Sequence, residues 1–318
     1  MSRSSEIVAA PQSSAAAATA AELRRMRLSA IALMCGAGVS FTGIDSSAKW
    51  LSAYLPPAEV VWARYTVAAM IGIIIARPFS RPALLWPNRP GLQALRSIFL
   101  LLSTLANFFA LRRLQLAETS TICFLSPFFV AALAWPILGE RIGFERIVAI
   151  VIGFVGVVIA TRPGTSAFQP VVFVAVAGVA CNSGYVLLTR ALAAHDAPET
   201  TIAWTQLSGV VCLTSILPWI WVAPPSPLAW AVTGIMGLSA ALGHGLLIEA
   251  HRLAPAPFLA PFAYVQLPAM IVAGLLIFGD WPPAATLIGA GLVVACGLTL
   301  AMQERGARAA KGVEAAAR

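Results

Sequence analysis

The sequence predicts an all-α integral membrane protein of ten transmembrane helices, arranged as two inverted five-helix repeats. Three observations carry that prediction. Of its 318 residues, 59% are apolar and only 11% charged, against roughly 25% charged in ordinary soluble domains, so the chain needs a second, apolar solvent. Ten apolar runs approach the ~20 residues a helix needs to cross a bilayer. The last five runs repeat landmarks of the first five.

Residues 1–27 are Ser/Ala-rich and end in Arg24, Arg25 and Arg27. In a secretory signal the charge precedes the apolar stretch, and here it follows one, so a disordered cytoplasmic tail is expected. Spans are expected at 28–51, 57–76, 92–111, 115–138, 144–161, 169–192, 198–220, 228–250, 257–279 and 284–302, with a second tail at 304–318. The links carry breakers such as Pro56-Pro57, Arg77-Pro78, Arg162-Pro163-Gly164, Pro224-Pro225 and Pro282-Pro283.

Charge sets the expected orientation. With a cytoplasmic N-terminus, sixteen of the 21 Lys and Arg residues, Arg96 near the start of the third span among them, fall on the inner side, which places both termini in the cytoplasm. Arg112 and Arg113 run against that bias. The net charge of +8 sits between apolar runs and implies no nucleic acid. Cys35, Cys123, Cys181, Cys212 and Cys296 are scattered within apolar runs. They read as small buried hydrophobes with neither metal nor disulfide spacing, and no cofactor is expected.

The repeat is legible in detail. LGER at 138–141 answers FGDW at 278–281, and each follows a span with a central proline, Pro127 in FLSPFF and Pro268 in VQLPAM. LRRL at 111–114 answers AHRL at 250–253, and PPAEVVWAR at 56–64 answers APETTIAWTQ at 197–206. Lys49 and Arg190 close the first and sixth spans. The repeats are thus 28–163 and 169–303, joined by a linker at 164–168. An odd number of spans per repeat inverts the second against the first, the architecture of alternating access around a midplane site.

The stretch LQLAETSTICFLSPFFVAALAWPILGERIGFERIVAIVIGFVGVVIATRPG at 114–164 resembles the EamA type of the drug/metabolite transporter (DMT) superfamily. DSSAKWL and PPAEVVWARY, within 45–65, resemble that family's first two helices. With the second repeat the resemblance spans residues 28–303; the base of the first turn is absent at Gly279-Asp280-Trp281. It implies a ten-helix carrier of small metabolites in a bacterial inner membrane. It does not imply which metabolite.

Ionisable groups inside a span cost about 2.5–3.5 kcal/mol on insertion scales and should face protein or a wet cavity. Asp45 and Lys49, four residues apart, share a helix face. They read as an outer gate or as a local ion pair. Arg64 needs a carboxylate partner, with Asp45 and Glu59 the candidates, or an anionic substrate. Trp62 and Tyr65 stand nearby to stack on a ligand or mark the interface. Asn107, Asn182, Tyr185 and Gln206 are polar groups in mid-span, and Gln206 takes the place of Arg64 in the second repeat. His244, with His251 on its face, could carry protons. Pro127 and Pro268 read as hinges or passive kinks that free a backbone carbonyl, with Phe124, Tyr264 and Gln266 as cavity neighbours. Glu118 suits the start of its helix. The ladders Gly237/Ala241/Gly245 and Gly291/Ala295/Thr299 permit close packing within the fold or in a homodimer.

A secondary transporter fits these features best: a small-molecule substrate, the lipid bilayer as partner and, without a P-loop, no ATP. A membrane enzyme would need convergent acids, bases or metal ligands, and the three histidines lack paired acids. An inert scaffold or partner subunit would have no use for Arg64.

Overall fold

The computed structural model describes residues 10–76, 86–138, 144–192, 195, 196 and 198–316. The link at Arg77-Pro78, the turn Gly139-Glu140-Arg141 and the Glu199 side chain lie outside the described residues. Among the described residues all regular structure is helical. In chain order the helices are α1 (Ala10–Leu51), α2 (Pro57–Ala76), α3 (Pro90–Leu111), α4 (Leu116–Cys123), α5 (Ser126–Leu138), α6 (Phe144–Thr161) and α7 (Val172–Leu192). Then come α8 (Pro198–Thr214), α9 (Leu217–Ile220), α10 (Pro227–Leu253), α11 (Ala256–Ala263), α12 (Gln266–Ala273), a π-helical turn (Gly274–Phe278) and α13 (Ala284–Ala316).

Seven stretches among the described residues are long and apolar enough to cross a membrane: Arg24–Leu51, Pro57–Ile74, Pro90–Leu111, Leu116–Leu133, Val172–Leu192, Pro227–Leu253 and Phe258–Phe278. Two shorter apolar helices, Ile147–Thr161 and Ala284–Leu300, accompany them. Large apolar side chains line the outside, with Trp219 81%, Leu276 77% and Ile74 72% exposed. Only a hydrocarbon surround makes such a surface favourable.

α1 starts at Ala10, ahead of the expected Leu28, so part of the stretch read as a disordered tail continues the helix. The physical reason is composition, because alanine is the best helix former. α13 likewise runs through most of the expected second tail.

Three expected spans are broken, each beside a proline. A proline lacks the N–H that would bond the carbonyl four residues back. α4 ends at Cys123, four before Pro127; α8 ends at Thr214, four before Pro218; α11 ends at Ala263, five before Pro268. The breaks are repaired by tighter bonds: Leu125 N–H to Ile122 O at 3.0 Å, Ile216 N–H to Leu213 O at 3.2 Å, and Leu267 N–H to Tyr264 O at 3.0 Å.

The helices pack mainly across the two parts of the chain. α1 lies along α10, α3 along α7, α6 along α13, and α2 between α8 and α10. Some of these approaches need glycine. A Cβ at Gly289 would lie 2.2 Å from the Gly156 carbonyl oxygen, which brings α6 and α13 nearly backbone to backbone. The ladder expected on that helix, Gly291/Ala295/Thr299, is instead exposed, and Gly289, Val293, Cys296 and Leu300 are buried. Both registers have small residues, but only the second faces α6. Gly237 does pack inward, against Val67.

Gly289→Ala should therefore destabilise the protein by about 1–3 kcal/mol, the usual cost of overpacking, with a lowered melting temperature in detergent. Gly291→Ala, with open space around it, should leave that temperature unchanged or slightly raised.

Candidate functional site

The interior holds a central polar cluster built on five helices. On α1, Asp45 is half-buried and accepts a hydrogen bond from Asn107 Nδ2 of α3 at 3.1 Å. Asn107 Oδ1 in turn faces Cys123 Sγ at the end of α4, 3.7 Å away. On α2, Arg64 donates from Nη1 to Thr104 Oγ1 at 3.3 Å. Its guanidinium lies 5.4 Å from the Tyr65 ring centre and 6.0 Å from that of Phe108. Thr104 gives its own proton to Leu100 O, so its 3.4 Å contact with Tyr65 is donated by the tyrosine hydroxyl. On α10, His244 stands edge-on to Phe41 at 5.3 Å. The Arg64 charge is felt at both Asp45 and His244.

Arg64 is under-used. A guanidinium carries five N–H donors, yet this one has a single hydrogen bond, its Nε is buried without a partner, and no carboxylate lies within ion-pair distance among the described residues. Neither expected partner pairs with it. Asp45 is held by Asn107, and the buried Glu59 accepts from the backbone N–H of Val222 at 3.0 Å.

The pairing of Asp45 with Lys49 read from their spacing is not formed. Lys49 reaches across to the other part of the chain, with Nζ 2.7 Å from Asp280 Oδ2. It also donates to Leu114 O at 3.1 Å and sits 4.8 Å from the Phe278 ring centre. Gly279 closes the π-helical turn with φ 69°, a left-handed conformation that favours glycine, and directs Asp280 back toward Lys49. This contact ties the end of α1 to the segment after α12 and has the form of a latch.

The two proline breaks meet. Phe124 and Tyr264, the first residues past α4 and α11, pack with their rings tilted at 58° and ring centres 4.8 Å apart. Tyr264 fits because residue 297 is glycine: a Cβ there would lie 1.8 Å from the tyrosine oxygen. Gln266 packs against Gly38 of α1. Pro127 and Pro268 themselves are exposed, so at each break it is the ring, not the proline, that faces inward.

Other expected site residues lie elsewhere. Asn182 donates to Ser126 Oγ at 3.0 Å and so braces the α4–α5 break. Trp62 is drawn to the α8–α9 break, donating to Thr214 Oγ1 at 2.9 Å and meeting Trp221 edge-on at 5.9 Å. Gln206 is half-buried on α8. Tyr185 belongs to a second cluster, around Arg96. That arginine is only 2% exposed and was grouped by sequence with the cytoplasmic charge. It donates to Thr189 at 2.7 Å, Thr205 at 2.6 Å, Thr201 O at 3.1 Å and Tyr185 at 3.1 Å, with the Tyr185 ring 4.6 Å beneath it. Next to it Asp196 accepts from Gln93 at 2.9 Å and from Asn88 N–H at 2.7 Å. The signal was available, since Arg96 falls inside the expected span 92–111. Among the described residues no three His, Cys, Asp or Glu side chains converge on a point that could hold a metal.

The comparisons with known proteins bear on this geometry. Residues 28–162 match the EamA-like transporter family. This bears out the resemblance read from its motifs, and the likeness extends past the domain. A riboflavin transporter of Vibrio cholerae is 25% identical over 266 residues, covering 82% of this chain and 89% of that protein. An S-adenosylmethionine uptake transporter of Rickettsia prowazekii is 22% identical, over 84% of this chain and 90% of its own. The pseudopaline exporter CntI of Pseudomonas aeruginosa is 25% identical, over 87% and 98%. A solved crystal structure aligns with 90% of the chain and 98% of its own at a TM-score of 0.56 and 17% identity, a likeness of fold alone.

The latch is testable as a pair. Lys49→Met and Asp280→Asn should each lower the melting temperature. The double variant should fall no further than the worse single one, a coupling of about 1 kcal/mol by double-mutant cycle. Additive losses would mean that the two side chains do not act together.

Proposed function

We propose that the chain is a secondary active carrier that moves a small metabolite across the bacterial inner membrane by alternating access. The observation that carries this reading is the packing exchange around Arg64. If α1–α6 and α7–α13 are two repeats of five spans, exchanging them turns the α1–α10 contact into α7–α3, and the α2–α10 contact into α8–α3. It turns α1–α12 into α7–α5, while α6–α13 and α2–α8 map onto themselves; all of these contacts are present. That regularity supports repeats at 28–163 and 169–303 and ten spans, with α4–α5, α8–α9 and α11–α12 each forming one broken span. An inverted pair of repeats has two related arrangements, one open to each side, with the substrate held between them.

In this reading Arg64, Asp45, Asn107, Tyr65 and His244 line the substrate site, with Phe124 and Tyr264 at the meeting of the breaks. A cation with free donors, an acid and aromatic faces suit an amphiphilic metabolite bearing both charge signs, such as an amino acid, a nucleoside conjugate or a compound like S-adenosylmethionine. The relatives are named for riboflavin, for S-adenosylmethionine uptake and for pseudopaline export, which supports a planar or zwitterionic solute. Lys49–Asp280 is the outer gate, closed in this arrangement, and both termini are cytoplasmic.

The test is a metabolite screen on the purified protein in detergent. A ligand at one hundred times its Kd stabilises the folded state by about 2.7 kcal/mol, so riboflavin, S-adenosylmethionine or an amino acid should raise the melting temperature by several degrees. Arg64→Ala should stay folded and lose that shift. A stable Arg64→Ala that keeps the full shift removes Arg64 from the site.

A further inference from the structure

A second cavity, of about 480 Å³, opens where α1 and α3 end. It is lined by Lys49, Arg112 and Arg113 and walled by Trp50, Tyr54 and Phe278. From this we infer that the cavity is an anion site on the outer face, distinct from the Arg64 cluster. It takes a phosphate carried on a planar or apolar group.

Four observations point there. The volume falls in the range of small-molecule sites, ~300–1,000 Å³. Arg112 and Arg113 run against the charge bias of the chain, so membrane topology does not call for them. Both are exposed, and neither forms an ion pair among the described residues. The α3 C-terminus favours a nearby cation, but that alone explains neither the second arginine nor the aromatic wall beside it, where the tilted rings of Trp50 and Tyr54 pack with centres 5.0 Å apart. Among the described residues Asp280 is the one acid paired with these three cations, which leaves the cavity net positive, and paired arginine forks match the geometry of phosphate oxygens. The rings supply a surface for whatever carries the phosphate.

The site also touches the latch. A phosphate in the cavity competes with Asp280 for Lys49 Nζ, so its arrival loosens the bond that holds the outer end shut. The same chemistry could come from a dissolved phosphate ester or from an anionic lipid headgroup at the membrane surface.

Binding to the full chain in dodecyl maltoside distinguishes these sources with two probes, phenyl phosphate by equilibrium dialysis and phosphatidylglycerol by native mass spectrometry. At least one probe should bind the wild type and lose about tenfold or more in affinity in Arg112→Gln/Arg113→Gln, which leaves the protein monodisperse because both side chains are exposed. Arg64→Ala should bind it as the wild type does, and Asp280→Asn, which frees Lys49, should bind it more tightly. Dependence of phenyl phosphate alone assigns a soluble ester, and dependence of phosphatidylglycerol alone assigns a lipid. Binding that ignores the arginine pair, or that is lost in Arg64→Ala instead, overturns the assignment.

Discussion

No water is available inside a bilayer to satisfy a polar group, and the interior of this chain is organised by that constraint. Its buried hydroxyls mostly turn back on their own helices. Thr42, Ser52, Thr121, Thr161 and Ser183 each donate to the carbonyl four residues earlier. The prolines cannot be handled this way, because they subtract a donor from the backbone. Pro127, Pro218 and Pro268 each follow a break in a helix, and the chain closes the gap with a tighter turn. These breaks are therefore consequences of sequence chemistry, and two of them, at Phe124 and Tyr264, put irregular backbone where the two parts of the chain meet.

The same constraint sorts two arginines of the apolar spans, Arg64 and Arg96. Arg96 is bound by three hydroxyls, a carbonyl and an aromatic face, and so clasps α3 to α7 and α8. Nothing remains for a ligand to add. Arg64 has one long hydrogen bond and a buried Nε without a partner. Leaving a buried charge under-satisfied costs more than pairing it returns, so a chain that needed Arg64 only for stability would gain by replacing it. The contrast between a saturated and an unsaturated guanidinium in one protein is what singles out Arg64, rather than Arg96, for the proposed substrate site.

Much of this was legible in the sequence because it is local. Hydropathy and breakers placed the apolar helices, and the matched prolines located two of the three breaks. What failed was tertiary. Asp45 and Lys49 satisfy the i,i+4 rule, but Lys49 finds Asp280, 231 residues away, and Asp45 finds Asn107. A neighbour on the same helix is only one competitor among all the groups that packing brings near. The glycine ladder on α13 was read one register off, since spacing gives a periodicity but not which stripe faces a partner. Arg96 was assigned to the cytoplasmic charge by its nearness to the helix start, although only its contacts reveal a buried clasp.

These features bear on how such a molecule could move. The Lys49–Asp280 bond holds one end, and its two groups are 16% and 30% exposed, so water already weakens it. At the centre the contact between the breaks is one of rings, which can slide without breaking a hydrogen bond. Gly297 leaves room for the Tyr264 hydroxyl end against α13. By contrast the α6–α13 contact is made backbone to backbone at Gly156 and Gly289 and has little freedom to shift. In the alternating access proposed above, motion belongs to the helices around the breaks, with α6 and α13 as the fixed pair. Opening at the Lys49 end then requires the loss of one partly hydrated ion pair and the sliding of one aromatic contact, rather than the unpacking of a core.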